Sequence, residues 1–136
     1  MKLLVLVVFV AFIGLTFANH GIHLNEEQEK RIHGFSAECI EKEKTTPEAT
    51  KGLRTGAFPH DDKNLKCFTN CFLEKTGMFA DGALKDDIIK AKLGPLVGDD
   101  KLKEILTKCG PLKGDDKCDT AFKLSECFYN HKAGIV

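Results

Sequence analysis

Residues 65–72 read Leu65-Lys66-Cys67-Phe68-Thr69-Asn70-Cys71-Phe72, an apolar run carrying two cysteines four positions apart. Side chains at i and i+4 share a helix face and point the same way, so a helix here sends both sulfurs outward in parallel. Cys67 and Cys71 therefore need different partners, because a disulfide requires converging Cβ vectors. Upstream, Phe58-Pro59 breaks the chain and Asp61 and Asp62 supply an acidic helix start; downstream, Gly77 ends the helix as a C-cap.

The remaining cysteines are Cys39, Cys109, Cys118 and Cys127, six in all. Cys118 and Cys127 are nine residues apart, which at about 100° per residue is half a turn, so they emerge on opposite sides of one helix. These two exclusions reduce the ~15 possible pairings of six cysteines to about ten. Loops of these lengths give roughly 3 to 4 kcal/mol per bridge, comparable with the net stability of a small domain. A chain so stapled tolerates an internal cavity, whose cost is about 24 cal/mol per Å³. Zinc is the rival reading of Cys67-x3-Cys71, but no histidine stands beside that pair in a finger-like pattern.

The segments around this centre all carry helical signals. Asn25 and Gln28 form a capping box ahead of an apolar face made by Ile32, Phe35, Cys39 and Ile40. Thr46-Pro47 starts a short second helix bounded by Gly52 and Gly56. Asp81 is read as the cap of a fourth helix with Leu84, Ile88 and Ala91 on one face, stopped by Gly94-Pro95. Asp99 is read as the cap of a fifth, carrying Leu102, Ile105, Leu106 and Cys109 up to Gly110-Pro111, and Asp115 and Asp116 open a sixth. No stretch alternates apolar and polar residues at strand length, so the class is all-α: a six-helix, disulfide-stapled bundle.

The opening run MKLLVLVVFVAFIGLTFA, residues 1–18, has a basic start, an apolar body and a small-residue end, and reads as a signal peptide. The domain is then 19–136, secreted into an oxidising compartment that suits an even cysteine count. Charge balances at 20 basic and 20 acidic residues with the signs interspersed, which gives no footprint for nucleic acid or an anionic membrane. No later run is apolar enough to span a bilayer, so no stable membrane insertion is expected after cleavage. No Gly-x-Ser-x-Gly elbow, His-Glu-x-x-His or phosphate-cradling loop is present, so the chain is read as no enzyme and as needing no cofactor or metal.

The spacing Cys39-x27-Cys67-x3-Cys71-x37-Cys109-x8-Cys118-x8-Cys127 resembles the six-cysteine signature of the insect pheromone-binding and general odorant-binding protein family. Residues 65–72, running on to Gly77-Met78, resemble that family's third helix and the turn after it. The resemblance implies an apolar cavity within the bundle, with Cys39 joined to Cys71, Cys67 to Cys118 and Cys109 to Cys127. It also implies reversible carriage of a small hydrophobic ligand such as an odorant or fatty acid, with a membrane odorant receptor as onward partner.

Candidate wall residues are Phe72, Met78, Phe79, Ile88, Ile105, Leu106, Phe122, Phe128 and Val136, with Phe58 near the entrance. Ten phenylalanines and no tryptophan favour selection by size and shape. Tyr129, the sole tyrosine, and Ser125 one turn before it are the candidate polar contacts. His60 and His131 are expected to be solvated, as are Lys75, Lys90 and Lys92, although a lysine at the mouth suits a carboxylate. Gly134-Ile135-Val136 is a candidate lid. The rival function is a secreted interaction protein of saliva or reproductive fluid, which would expose an apolar patch to a protein partner.

Overall fold

The computed structural model describes residues 24–135; the leader expected at 1–18, the boundary at 19 and Val136 lie outside the described residues. Among the described residues there are six helices: α1 (Glu26–Glu43), α2 (Pro47–Arg54), α3 (Lys63–Thr76), α4 (Asp86–Val97), α5 (Asp99–Cys109) and α6 (Lys117–Asn130). Two of the helix starts follow directly from their capping residues. Gln28 N donates to Asn25 Oδ1 at 2.9 Å while Asn25 N donates to Gln28 Oε1 at 3.1 Å, completing the capping box. Thr46 accepts from Ala49 N at 3.2 Å with Pro47 in the first turn of α2.

Helix α3 is the hub, packing on α6 and on α1. Three bridges hold this arrangement, Cys39–Cys71, Cys67–Cys118 and Cys109–Cys127, the pairing that the family resemblance implies. They tie α1 to α3, α3 to α6 and α5 to α6. One core cluster runs through the bundle, with Phe72, Phe79, Phe122 and Phe128 as its largest buried rings. Among the described residues no helix is long and apolar enough to cross a membrane.

The segment between α3 and α5 departs from the sequence reading. Residues Phe79–Ala80 (β1) and Ala83–Leu84 (β2) form an antiparallel hairpin whose tip is Asp81-Gly82. Both tip residues have positive φ, +53° and +80°, the geometry that Asp-Gly favours in a two-residue hairpin turn. Asp81 is therefore a turn residue, and α4 begins five residues later at Asp86, after Lys85, which makes no side-chain capping bond. Pro95 does not stop α4; the helix carries it within its last turn and ends at Val97 before Gly98, whose φ is +95°. The later start also changes the inward face: Ile89 and Leu93 are buried, and Ile88 lies at the surface with 36% of its area exposed. Asp99 is the first residue of α5 and not its cap.

Candidate functional site

Helix α6 organises the interior. Asp116 starts it by accepting from Asp119 N at 2.8 Å, and from there Ala121, Phe122, Leu124, Ser125 and Phe128 are all buried. A helix buried around more than half its circumference has neighbours on several sides. On one side the 55–60 segment crosses it. Phe58 meets Phe122 edge-on at 5.4 Å between centroids and Tyr129 at 5.9 Å. His60 lies edge-on to Phe122 at 5.4 Å, and its Nε2 sits 3.0 Å from Glu126 Oε2. The chain passes so close that a Cβ on Gly56 would fall 2.9 Å from Tyr129 Cε1, and φ there is +93°, so glycine is required twice over.

Ser125 is fully buried, and among the described residues its hydroxyl has no hydrogen-bond partner. A helical serine ordinarily bonds back to the carbonyl one turn earlier. Left without a partner, a buried hydroxyl costs about 1–3 kcal/mol. Tyr129 is half-buried, flanked by Phe58, Gly56 and Gly134, with its ring 3.5 Å from where a Cβ on Gly134 would stand. Beyond it Ala133 and Ile135 are buried in the core, so the described part of the tail packs inward.

The structure therefore gathers most of the expected wall into one cluster. Phe72, Met78, Phe79, Ile105, Phe122 and Phe128 belong to its buried part, with Phe58 and Leu106 packed against it. Ile88 stands apart at the surface. Of the lysines considered for a ligand carboxylate, Lys75 pairs with Glu38 and Lys92 donates to the Thr76 carbonyl at the end of α3. His131 is half-buried rather than fully exposed, with Nδ1 2.8 Å from the Cys127 carbonyl and 3.9 Å from each sulfur of the Cys109–Cys127 bridge. Those sulfurs are bonded to each other, so the trio offers no thiolate to a metal.

An ion-paired buttress was not singled out in the sequence. Asp119, buried on α6, takes Lys66 Nζ at 2.9 Å, Lys123 Nζ at 3.2 Å and the Asp115 N–H at 3.0 Å. The Lys66 hydrogen bond, foremost, and that backbone N–H hold its pKa down at about 2. Lys66 also lies 5.7 Å over the Phe122 ring. Lys66 and Asp119 each neighbour a member of the Cys67–Cys118 bridge, so the pairing itself was the signal that brings them together. A Cβ on Gly114 would come within 2.2 Å of Asp119 Oδ2, and only glycine lets that loop close on the carboxylate.

A cleft of about 490 Å³ opens between the β1–β2 hairpin, the end of α5 and the 110–113 loop, and its lining includes Leu124 of the core cluster and Leu106 packed against it.

The sequence pattern of the PBP/GOBP family matches residues 22–131. General odorant-binding protein 56a of Drosophila melanogaster is 37% identical over 111 residues, covering 82% of this chain and 80% of that protein. Odorant-binding protein 10 of Aedes aegypti is 30% identical over 120 residues, covering 85% of each. Among solved structures, the fatty acid binding protein OBP56a from the oral disk of the blowfly Phormia regina superposes with a TM-score of 0.71 at 38% identity. The match covers 82% of this chain and 96% of that one.

Proposed function

The chain belongs to the PBP/GOBP family, and from that membership we propose that it is a secreted carrier of chain-like apolar molecules that bear one oxygen function. The ligand body would lie among Phe72, Phe79, Phe122 and Phe128, gaining about 25 cal/mol for each Å² of apolar surface removed from water. The observation that carries the polar half of this reading is the Ser125 hydroxyl, which has no partner among the described residues and is fully buried between Phe122 and Phe128 in the sequence of α6. An alcohol, aldehyde, ester or acid group would satisfy it, with Tyr129 one turn further on as the second contact. Secretion is supported by three disulfides, which persist in oxidising compartments. The description of the blowfly relative as a fatty-acid-binding protein makes fatty acids and their reduced derivatives the first compounds to try. Hand-over to a membrane receptor would follow release.

Displacement of a fluorescent apolar probe tests this. Long-chain alcohols and aldehydes should compete better than the alkane of equal length, and Ser125→Ala should erase most of that advantage, a loss of about fivefold to tenfold for one hydrogen bond. Failure of every long-chain compound to displace the probe would overturn the carrier reading.

A further inference from the structure

The Cys109–Cys127 bridge differs from the other two in what stands beside its sulfurs. His131 is the C-cap of α6, and its backbone N–H donates to the Cys127 carbonyl at 3.1 Å. The same carbonyl lies 2.8 Å from Nδ1 of the ring; a carbonyl only accepts, so Nδ1 carries the proton. That N–H sits 3.9 Å from the Cys109 sulfur and 3.9 Å from the Cys127 sulfur. Among the described residues, no sulfur of the other two bridges has a hydrogen-bonding neighbour of this kind.

Thiol–disulfide exchange goes fastest where the attacked sulfur can be reached and the departing one is stabilised as a thiolate. Cys39 and Cys71 are buried, at 0% and 4% exposure, which closes their bridge to attack. Cys67 and Cys118 are both half-buried, but the charges beside them in sequence, Lys66 and Asp119, are engaged with each other. In the third bridge Cys127 is half-buried and Cys109 fully buried, so a thiolate reaches Cys127 and Cys109 departs. The departing sulfur has the His131 N–H beside it, and a thiol next to a cationic imidazole ionises more readily. The carbonyl end of α6 favours that cation. Facing His131 from α5 is Glu104, paired with Lys108 at 2.7 Å; the Lys108 hydrogen bond, foremost, and to a lesser degree His131 and Lys101 lower the Glu104 pKa. Lys132 follows His131 in the tail.

We propose that Cys127 is a site of reversible S-thiolation by a low-molecular-weight thiol, with His131 positioned to stabilise the departing Cys109 thiolate. The incoming thiolate bonds to Cys127 Sγ as the Cys109–Cys127 bond breaks. The bonding pair leaves on Cys109 Sγ, which then takes a proton; the incoming sulfur is oxidised, Cys109 is reduced, and no further reagent is needed. No cysteine lies between Cys71 and Cys109, so this step cuts the bridge that ties the hairpin, α4 and α5 back to α6. That segment brings Phe79, Ile89, Leu93, Leu102 and Ile105 to the core.

The test is exposure of the native three-bridge protein to reduced glutathione, with iodoacetamide quenching and peptide mass mapping of each cysteine. Glutathione should appear first on Cys127, with Cys109 alkylated, about fivefold faster than exchange at Cys67–Cys118. His131→Phe should lower the ratio of those two rates about fivefold. His131→Asn, which keeps an N–H but no charge, should hold the ratio at about pH 8 and lose the rise that the unmodified sequence shows towards about pH 5.5. A loosened fold would lower the ratio equally at both pH values, so the profile separates this role from a structural one. In the Cys127 adduct, amide hydrogen exchange should quicken across α4 and α5 and not across α1 and α3. First reaction at Cys67–Cys118, or a ratio unmoved by His131→Phe, would overturn the site; unchanged exchange in α4 and α5 would overturn its effect on the arm. Neither readout involves a ligand, so the carrier reading stands or falls separately.

Discussion

Helices α3 and α6 meet through a disulfide, an ion pair and an aromatic contact within a few residues: Cys67–Cys118, Lys66–Asp119 and Lys66 over Phe122. Among the described residues, the arm formed by the hairpin and α4 has none of these. No cysteine occurs between Cys71 and Cys109, α4 starts without a side-chain cap, and Pro95 sits inside its last turn. It is held by Ile89 and Leu93 in the core and by Lys92 on the end of α3. The difference separates two ways of holding a helix, by covalent and ionic ties or by packing with a backbone hydrogen bond, and stability should be distributed accordingly.

Removing the central bridge is the hardest blow to that contrast. The Cys67→Ala, Cys118→Ala double variant should lose about 4 kcal/mol in denaturant unfolding, the value expected for a bridge of separation 51. A loss below about 1 kcal/mol would mean that α3 and α6 do not depend on it. In the arm, Ile89→Ala should cost about 3 kcal/mol by leaving a cavity, while Ile88→Ala at the surface should stay within about 0.5 kcal/mol. The reverse order would restore the face read from the sequence. Asp119→Asn comes third, at about 2 kcal/mol, typical for hydrogen bonds to a charged group. Because the folded pKa is depressed to about 2, the native carboxylate stabilises fully above its unfolded pKa near 4. That contribution disappears as pH falls through about 2, so the margin over Asp119→Asn should be flat from pH 7 to about 5 and close on acidification.

The same contrast governs what was legible in the sequence. Around Cys67, Cys71, Cys118 and Cys127, helical period and sulfur geometry act together, and the helices found there match those read from residues alone. Between Gly77 and Gly98 only local turn chemistry is available, and Asp81-Gly82 carries two meanings. Read as a helix cap, Asp81 sets Leu84 and Ile88 facing inward; read as a hairpin turn, it moves the helix start to Asp86 and turns Ile89 in. The flanking alanines, Ala80 and Ala83, gave no alternation to decide it. The buried residues on α6 were legible because that helix is apolar on more than one side. Its partnerless serine hydroxyl and the Asp119 buttress depend on which atoms meet in space, and no sequence period encodes that.

The most direct test of the carrier account is an isotope-filtered NOE spectrum of the labelled protein with unlabelled decanol. The account predicts contacts from the chain to the rings of Phe72, Phe122 and Phe128, with the hydroxyl end nearest Ser125. A spectrum with contacts only to surface residues, or with none, would contradict it.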